Sequence, residues 1–171
     1  MENYFKVLNG IDVSEKTEEK NKLTYLSWAW AWGELKKQFP DAQYKVERFG
    51  ESNSPYLYDD NLGYMVFTSV TVNGLTHEMW LPVMDGANKA MKDKEYKYEV
   101  NNWVWNKTTK RRELQGTIEK TVEPATMFDI NKTIMRCLVK NIGMHGLGLY
   151  IYAGEDLPES VQGEQEQQLK Q

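Results

Sequence analysis

Cysteine is almost missing from this sequence, with Cys137 alone among 171 residues. One thiol per chain excludes an internal disulfide and a multi-cysteine metal site. Histidine is nearly as scarce: His77 and His145 have no metal-ligand spacing with each other or with Cys137. No apolar run approaches the roughly 18 residues that span a bilayer. Residues Met1–Asn9 lack the basic-then-apolar order of a secretory signal, so a cytoplasmic protein with no membrane partner is expected. A phosphate-binding loop of the GxxxxGKS/T type is absent, since Gly86-Ala-Asn-Lys89 lacks both the spacing and the hydroxyl. That excludes ATP-driven strand exchange. Carboxylates are plentiful, but none pairs as a two-metal nuclease site; Asp59-Asp60 falls in an expected loop. Cys137 lies on an apolar face without a base partner. No enzyme activity, cofactor or metal is expected from these residues.

Net positive charge is lacking too. The chain carries 21 Lys/Arg against 25 Asp/Glu, a balance of −4. The average conceals a polarity: residues 1–85 hold 8 basic and 13 acidic residues (−5), residues 86–152 hold 12 and 7 (+5), and residues 153–171 hold 1 and 5 (−4). A basic segment followed by an acidic tail suits a nucleic-acid binder, because local field rather than net charge attracts phosphate. A solvated surface whose signs happen to segregate is the competing reading.

The length predicts one domain with a real hydrophobic core. Residues 1–22 read as a flexible lead-in, because 9–22 are polar and unpatterned; 23–157 read as the folded domain, and 158–171, rich in Gln and Glu, as a disordered acidic tail. Ser27 is a good cap for a helix over Trp28–Gln38, which Pro40 ends. Trp28, Trp32, Leu35 and Phe39 make its apolar stripe, and Trp30, off that stripe, is an exposed stacking platform. A strand over 43–49 and a loop over 50–63 precede a hairpin turning at Asn73-Gly74, the pair that type I′ geometry prefers. Val66, Thr68, Val70 and Val72 face the core, while Phe67 and Trp80 sit opposite each other on the other face.

Residues 84–92 predict a short helix. Tyr96 to Trp105 alternate as a strand, turn near Asn106–Thr109 and return from Arg111 to Val122, so that 93–122 forms an aromatic and basic hairpin insertion. Thr126 and Asp129 make a near capping box for a second helix. Ile130, Ile134, Cys137, Leu138 and Ile142 form its buried stripe, and Gly143 and Gly146 bring it to an end. Leu147–Tyr152 reads as a short strand. The fold class is α+β with an antiparallel sheet.

What remains after these exclusions is a binding constellation. Lys89, Lys92, Lys97, Lys110, Arg111 and Arg112 are interleaved with Tyr96, Tyr98, Trp103 and Trp105, and Lys132, Arg136 and Lys140 recur every four residues on the second helix. Cations follow a phosphate backbone and aromatic faces stack on any base, which gives sequence-tolerant single-strand binding. Three cations at i, i+4 and i+8 repel one another unless an anion joins them. An ordinary wet helix face is the alternative for that ridge.

Several of these segments carry a resemblance. Tyr25–Leu35, the Asn73-Gly74 hairpin, Leu81–Asp85, Asp129–Asn141 and Gly146–Pro158 together resemble the Sak family of bacteriophage single-strand annealing proteins, which is similar to the Rad-fifty-two annealing superfamily. The resemblance covers about residues 22–158. It implies a protomer in which a curved antiparallel sheet, built on the β-hairpin, packs on a long α-helix. It also implies ATP-independent annealing of complementary strands in phage recombination, inside the host bacterial cytoplasm, by a homo-oligomeric ring or filament. The implied partners are single-stranded DNA, the duplex intermediate, and a host or phage single-strand binding protein or exonuclease. Lys140 occupies the superfamily's basic position before the helix-ending glycines, with Arg136 and Lys132 one and two turns earlier. Where the superfamily has adjacent basic residues, this chain has Val139 beside Lys140. Two other readings stay open: a passive single-strand binding protein, and a protein-interaction or regulatory module using the Phe67/Trp80 face and the acidic tail.

Overall fold

The computed structural model describes residues 3–20 and 23–153. The tail expected over 158–171 lies outside the described residues. The described residues form two compact units, one within Met1–Val46, Thr68–Met79 and Met135–Gln171, the other within Glu47–Phe67 and Trp80–Ile134. The architecture is mixed helix and sheet, and its sheets are antiparallel.

In the first unit the chain opens with helix α1, Tyr4–Asn9, capped by Asn3, whose Oδ1 accepts from the Phe5 amide. Leu8 and Val13 are fully enclosed. The expected flexible lead-in over residues 1–22 is therefore corrected: Tyr4, Leu8, Ile11 and Val13 belong to the core, and the intervening polar residues hide their periodicity. Burying one such Leu or Val is worth about 1.5–3 kcal/mol, enough to order a short segment. A 3-10 turn, Ser14–Lys16, leads into β1, Thr17–Lys20, which pairs with β2, Leu23–Leu26. Nothing in TEEK reads as a strand; its partner makes it one.

Helix α2, Trp28–Gln38, starts at Ser27, whose Oγ accepts from the Trp30 amide at 3.4 Å. Its inward line is Ala31 and Leu35. The small Ala31 brings the helix close to the core, so Trp30 and Trp32 straddle it and both pack there. The exposed tryptophan of this helix is thus Trp28, at 48% exposure, and not Trp30.

Strand β5, Gly63–Val72, is the spine of a four-stranded sheet. It pairs with β6, Leu75–Pro82, through a turn in which Asn73 and Gly74 have φ of 50° and 76°, as the sequence predicts. In the first unit it also pairs with β3, Gln43–Val46. Val66, Thr68, Val70 and Val72 alternate into the interior. Beyond helix α3, Met127–Met144, the run expected as a strand coils into a 3-10 turn, Leu149–Tyr152, closed by Ile151 donating to the Gly148 carbonyl and Ala153 to that of Tyr150. The Tyr150 hydroxyl accepts from the Val13 amide, so packing on the N-terminal segment overrides the strand propensity of these residues.

In the second unit β4, Leu57–Asp59, pairs with the start of β5 inside what the sequence presents as a loop. Asp59 Oδ1 accepts from the amides of Asn61 and Leu62, an ordinary turn role for that carboxylate. No helix forms over 84–92. Asp85 Oδ1 instead accepts from the amides of Ala87 and Lys89, closing a loop that bridges Met84 to Ala90. A carboxylate that bonds nearby amides offers the backbone an alternative to the helix. Strands β7, Tyr96–Asn106, and β8, Arg111–Val122, make a two-stranded sheet.

Candidate nucleic-acid interface

Two stripes on α3 define the interface in the first unit. Cys137, Asn141 and His145 follow the inner face and the helix end, four residues apart, all fully buried. The Asn141 amide donates to the Thr68 carbonyl at 3.1 Å, His145 Nε2 lies 2.8 Å from the Val70 carbonyl, and Cys137 Sγ donates to the Met79 carbonyl at 3.4 Å. Burial pushes the Cys137 thiol up, against the opposing pull of Thr68 and Lys140. Arg136 and Lys140 each precede a member of this buried stripe by one residue, about 100° round a helix of 3.6 residues per turn. The inner bonds fix the rotation of the helix, and the cations follow. Arg136 stacks its guanidinium 4.4 Å from the centre of the Tyr25 ring, and the Lys140 ammonium lies 5.5 Å from that of Tyr152. A cation on a ring keeps its charge, and its far side can still meet an anion. Val139, beside Lys140, is a core residue at 4% exposure.

In the second unit the first turn of α3 carries a reciprocal capping box. The Thr126 amide and hydroxyl donate to Asp129 Oδ2, while Thr126 Oγ1 accepts from the Asp129 amide. Burial raises the Asp129 carboxyl, but the Thr126 bonds and Lys132 outweigh it, leaving the group below its ordinary range. Lys132 is divided between Asp129, at 3.5 Å, and the Phe128 ring, at 5.7 Å.

The β7–β8 hairpin has two chemically distinct faces. Register pairs Tyr96 with Val122, Tyr98 with Lys120 and Val100 with Ile118 on one; Lys97 with Glu119, Trp103 with Leu114 and Trp105 with Arg112 lie on the other. The ladder shifts by one residue between Asn101 and Trp103, where Gly116 has φ of 72°. Tyr96 and Tyr98 are half-buried. The Lys92 and Lys89 ammoniums sit 5.1 and 4.8 Å above their rings, and the Tyr96 hydroxyl donates to the Ala90 carbonyl. Trp103 and Trp105 are 54% and 58% exposed. The four aromatics that the sequence groups together are therefore split: two tyrosines covered by lysines, and two open tryptophans with Arg112 beside them.

Lys97 is ion-paired with Glu119 at 2.9 Å. Arg111 and Arg112 are exposed at the start of β8, next to Lys110, whose φ of 55° closes the turn. Glu113 holds that turn by accepting from the Asn106 amide at 3.0 Å and the Thr109 hydroxyl at 2.9 Å, and those bonds keep its carboxyl below the ordinary range.

Tyr25, Tyr152 and the exposed Trp28 are residues that sequence reasoning missed. Tyr25 stands two places before a helix cap, and no spacing connects it with residue 136; only the packing of α3 against the Tyr25 ring brings them together. Among the described residues, no helix is long and apolar enough to cross a membrane. No curated protein and no solved structure matches the chain. The family model described as Sak Single Strand Annealing Protein matches residues 3–171, which include α1 and both cation-bearing segments. The chain belongs to that family of single-strand annealing proteins.

Proposed function

We propose that the chain binds single-stranded DNA along Arg136 and Lys140 and anneals complementary strands without nucleotide hydrolysis, as a homo-oligomeric ring or filament in phage recombination in the bacterial cytoplasm. The observation that carries this reading is the pair of cations seated on tyrosine rings, with their helix anchored to β5 by buried polar bonds. Duplex formation is downhill, so the protein need only neutralise strand repulsion and hold bases accessible. Stacking of about 1–3 kcal/mol per base serves that purpose while still releasing bases to a complement. Lys132, Lys89, Lys92, Lys97, Lys110, Arg111, Arg112, Tyr96, Tyr98, Trp103 and Trp105 extend the proposed contact set in the second unit. A curved sheet packed on the long helix, and a protein partner for the acidic tail, belong to the same reading.

The test is the Arg136→Ala/Lys140→Ala double variant. Affinity for an unstructured oligonucleotide should fall, and the slope of log K against log salt should become shallower by about 1.4, at about 0.7 per single-strand phosphate released. Unchanged affinity and slope in a folded variant would refute the assignment. Mixing complementary strands with the protein distinguishes annealing from passive binding: strand pairing accelerates in the first case and slows in the second.

A further inference from the structure

Resting on that single-strand reading, we propose that a cleft beside Tyr25 takes one unpaired nucleobase and that Glu18 reads the amino group on its edge. The cleft, about 280 Å³, lies within the first unit and is lined by Lys16, Glu18, Tyr25, Leu26 and Ser27. Glu18 and Tyr25 are directly opposite in the β1–β2 ladder. Cross-strand partners project to the same face with Cβ atoms about 5 Å apart, so a carboxylate stands beside an aromatic ring. The same ring carries the Arg136 guanidinium at 4.4 Å.

This juxtaposition sorts the parts of a nucleotide. A carboxylate repels phosphate, which goes to Arg136; it accepts hydrogen bonds from N–H groups, which the edges of bases supply. The Tyr25 ring offers the apolar wall that a base face requires, and Lys16 can donate to a ring nitrogen or carbonyl on the same edge. The volume admits a single base, and a base already paired has committed its amino edge to its complement, so occupancy of the cleft belongs to the unpaired strand. Cytosine, adenine and guanine each present an amino group to Glu18. Thymine presents one N–H flanked by two carbonyl oxygens, which face a carboxylate unfavourably.

The experiment compares binding of labelled oligo-dC and oligo-dT of equal length at mildly alkaline pH, where cytosine is unprotonated. The full-length protein, Glu18→Gln and Arg136→Ala/Lys140→Ala are each titrated. One net hydrogen bond in this open cleft should make oligo-dC bind about 3- to 10-fold tighter than oligo-dT. In Glu18→Gln, whose uncharged amide both donates and accepts, the preference should disappear as oligo-dT gains relative to oligo-dC. The double variant should lose affinity for both oligonucleotides. Equal binding of dC and dT by the unaltered protein, or a preference that persists in Glu18→Gln, overturns the base pocket while leaving the single-strand reading intact. Failure of the unaltered protein to bind either oligonucleotide overturns both.

Discussion

His145 sits with no solvent exposure, 2.8 Å by its Nε2 from the Val70 carbonyl and 3.3 Å by its Nδ1 from the Tyr4 hydroxyl. A carbonyl can only accept, so Nε2 carries the hydrogen and Nδ1 accepts from Tyr4: the ring is neutral and both nitrogens are satisfied. Burial lowers its pKa, the bond to Val70 opposes that, and His77, whose ring centre is 4.5 Å away, lowers it further. The unfolded chain, with an ordinary histidine pKa of about 6.5, binds a proton that the native state refuses. Stability is therefore complete above that value and declines as pH falls below it towards the depressed native pKa. Urea midpoints measured from about pH 7 to about pH 5 should fall in the unaltered protein; in His145→Asn that slope should flatten on a lower overall stability. Asp129 and Glu113, whose folded-state values are lowered, lose their contribution in a more acidic window, near the ordinary carboxylate range. The histidine count and spacing say nothing of this pair. His77 and His145 meet because β6 and the end of α3 meet, a distance relation that a local pattern cannot carry.

Elements whose ends are set by local chemistry were legible in the sequence. Ser27 caps α2, Asn73-Gly74 turns β5 into β6, and Thr126 with Asp129 starts α3, each through atoms within a few residues. Elements that depend on distant partners were not: β1 exists because β2 pairs with it, and Leu149–Tyr152 coils because Val13 and Gly143 pack against it. The candidate site divides in the same way. The cations on α3 followed from period, while the rings beneath them did not. The β7–β8 hairpin provides an element-level test, since Glu99 and Glu119 are directly paired. Replacing residues 100–118 by Asn-Gly keeps the Tyr96 bond to Ala90 and the buried Val122. The shortened protein should melt cooperatively near the parent temperature yet bind single-stranded DNA more weakly, having lost Trp103, Trp105, Arg111 and Arg112. Equal affinity by fluorescence titration would remove this hairpin from the interface.

For the molecule as a whole, net charge is a poor guide to partner. The −4 total contains a +5 stretch over residues 86–152, and the field near that stretch governs encounter with a polyanion. Light scattering should give a mass several-fold above the 20.0 kDa chain; a monomer with and without DNA would count against the assembled form.

The contact at Gly146 has a consequence of another kind. A methyl group on that residue would lie 2.7 Å from the Phe5 carbonyl oxygen and 3.2 Å from the Asn9 nitrogen, so α1 lies flush in a notch that only a glycine leaves open. Two pieces of chain about 140 residues apart thus relate as ligand and receptor. A protein starting at residue 14 should be poorly soluble, and a separate peptide spanning residues 3–13 should restore its solubility and cooperative melting. Gly146→Ala should abolish that rescue. The fold would then be one that can be completed in trans.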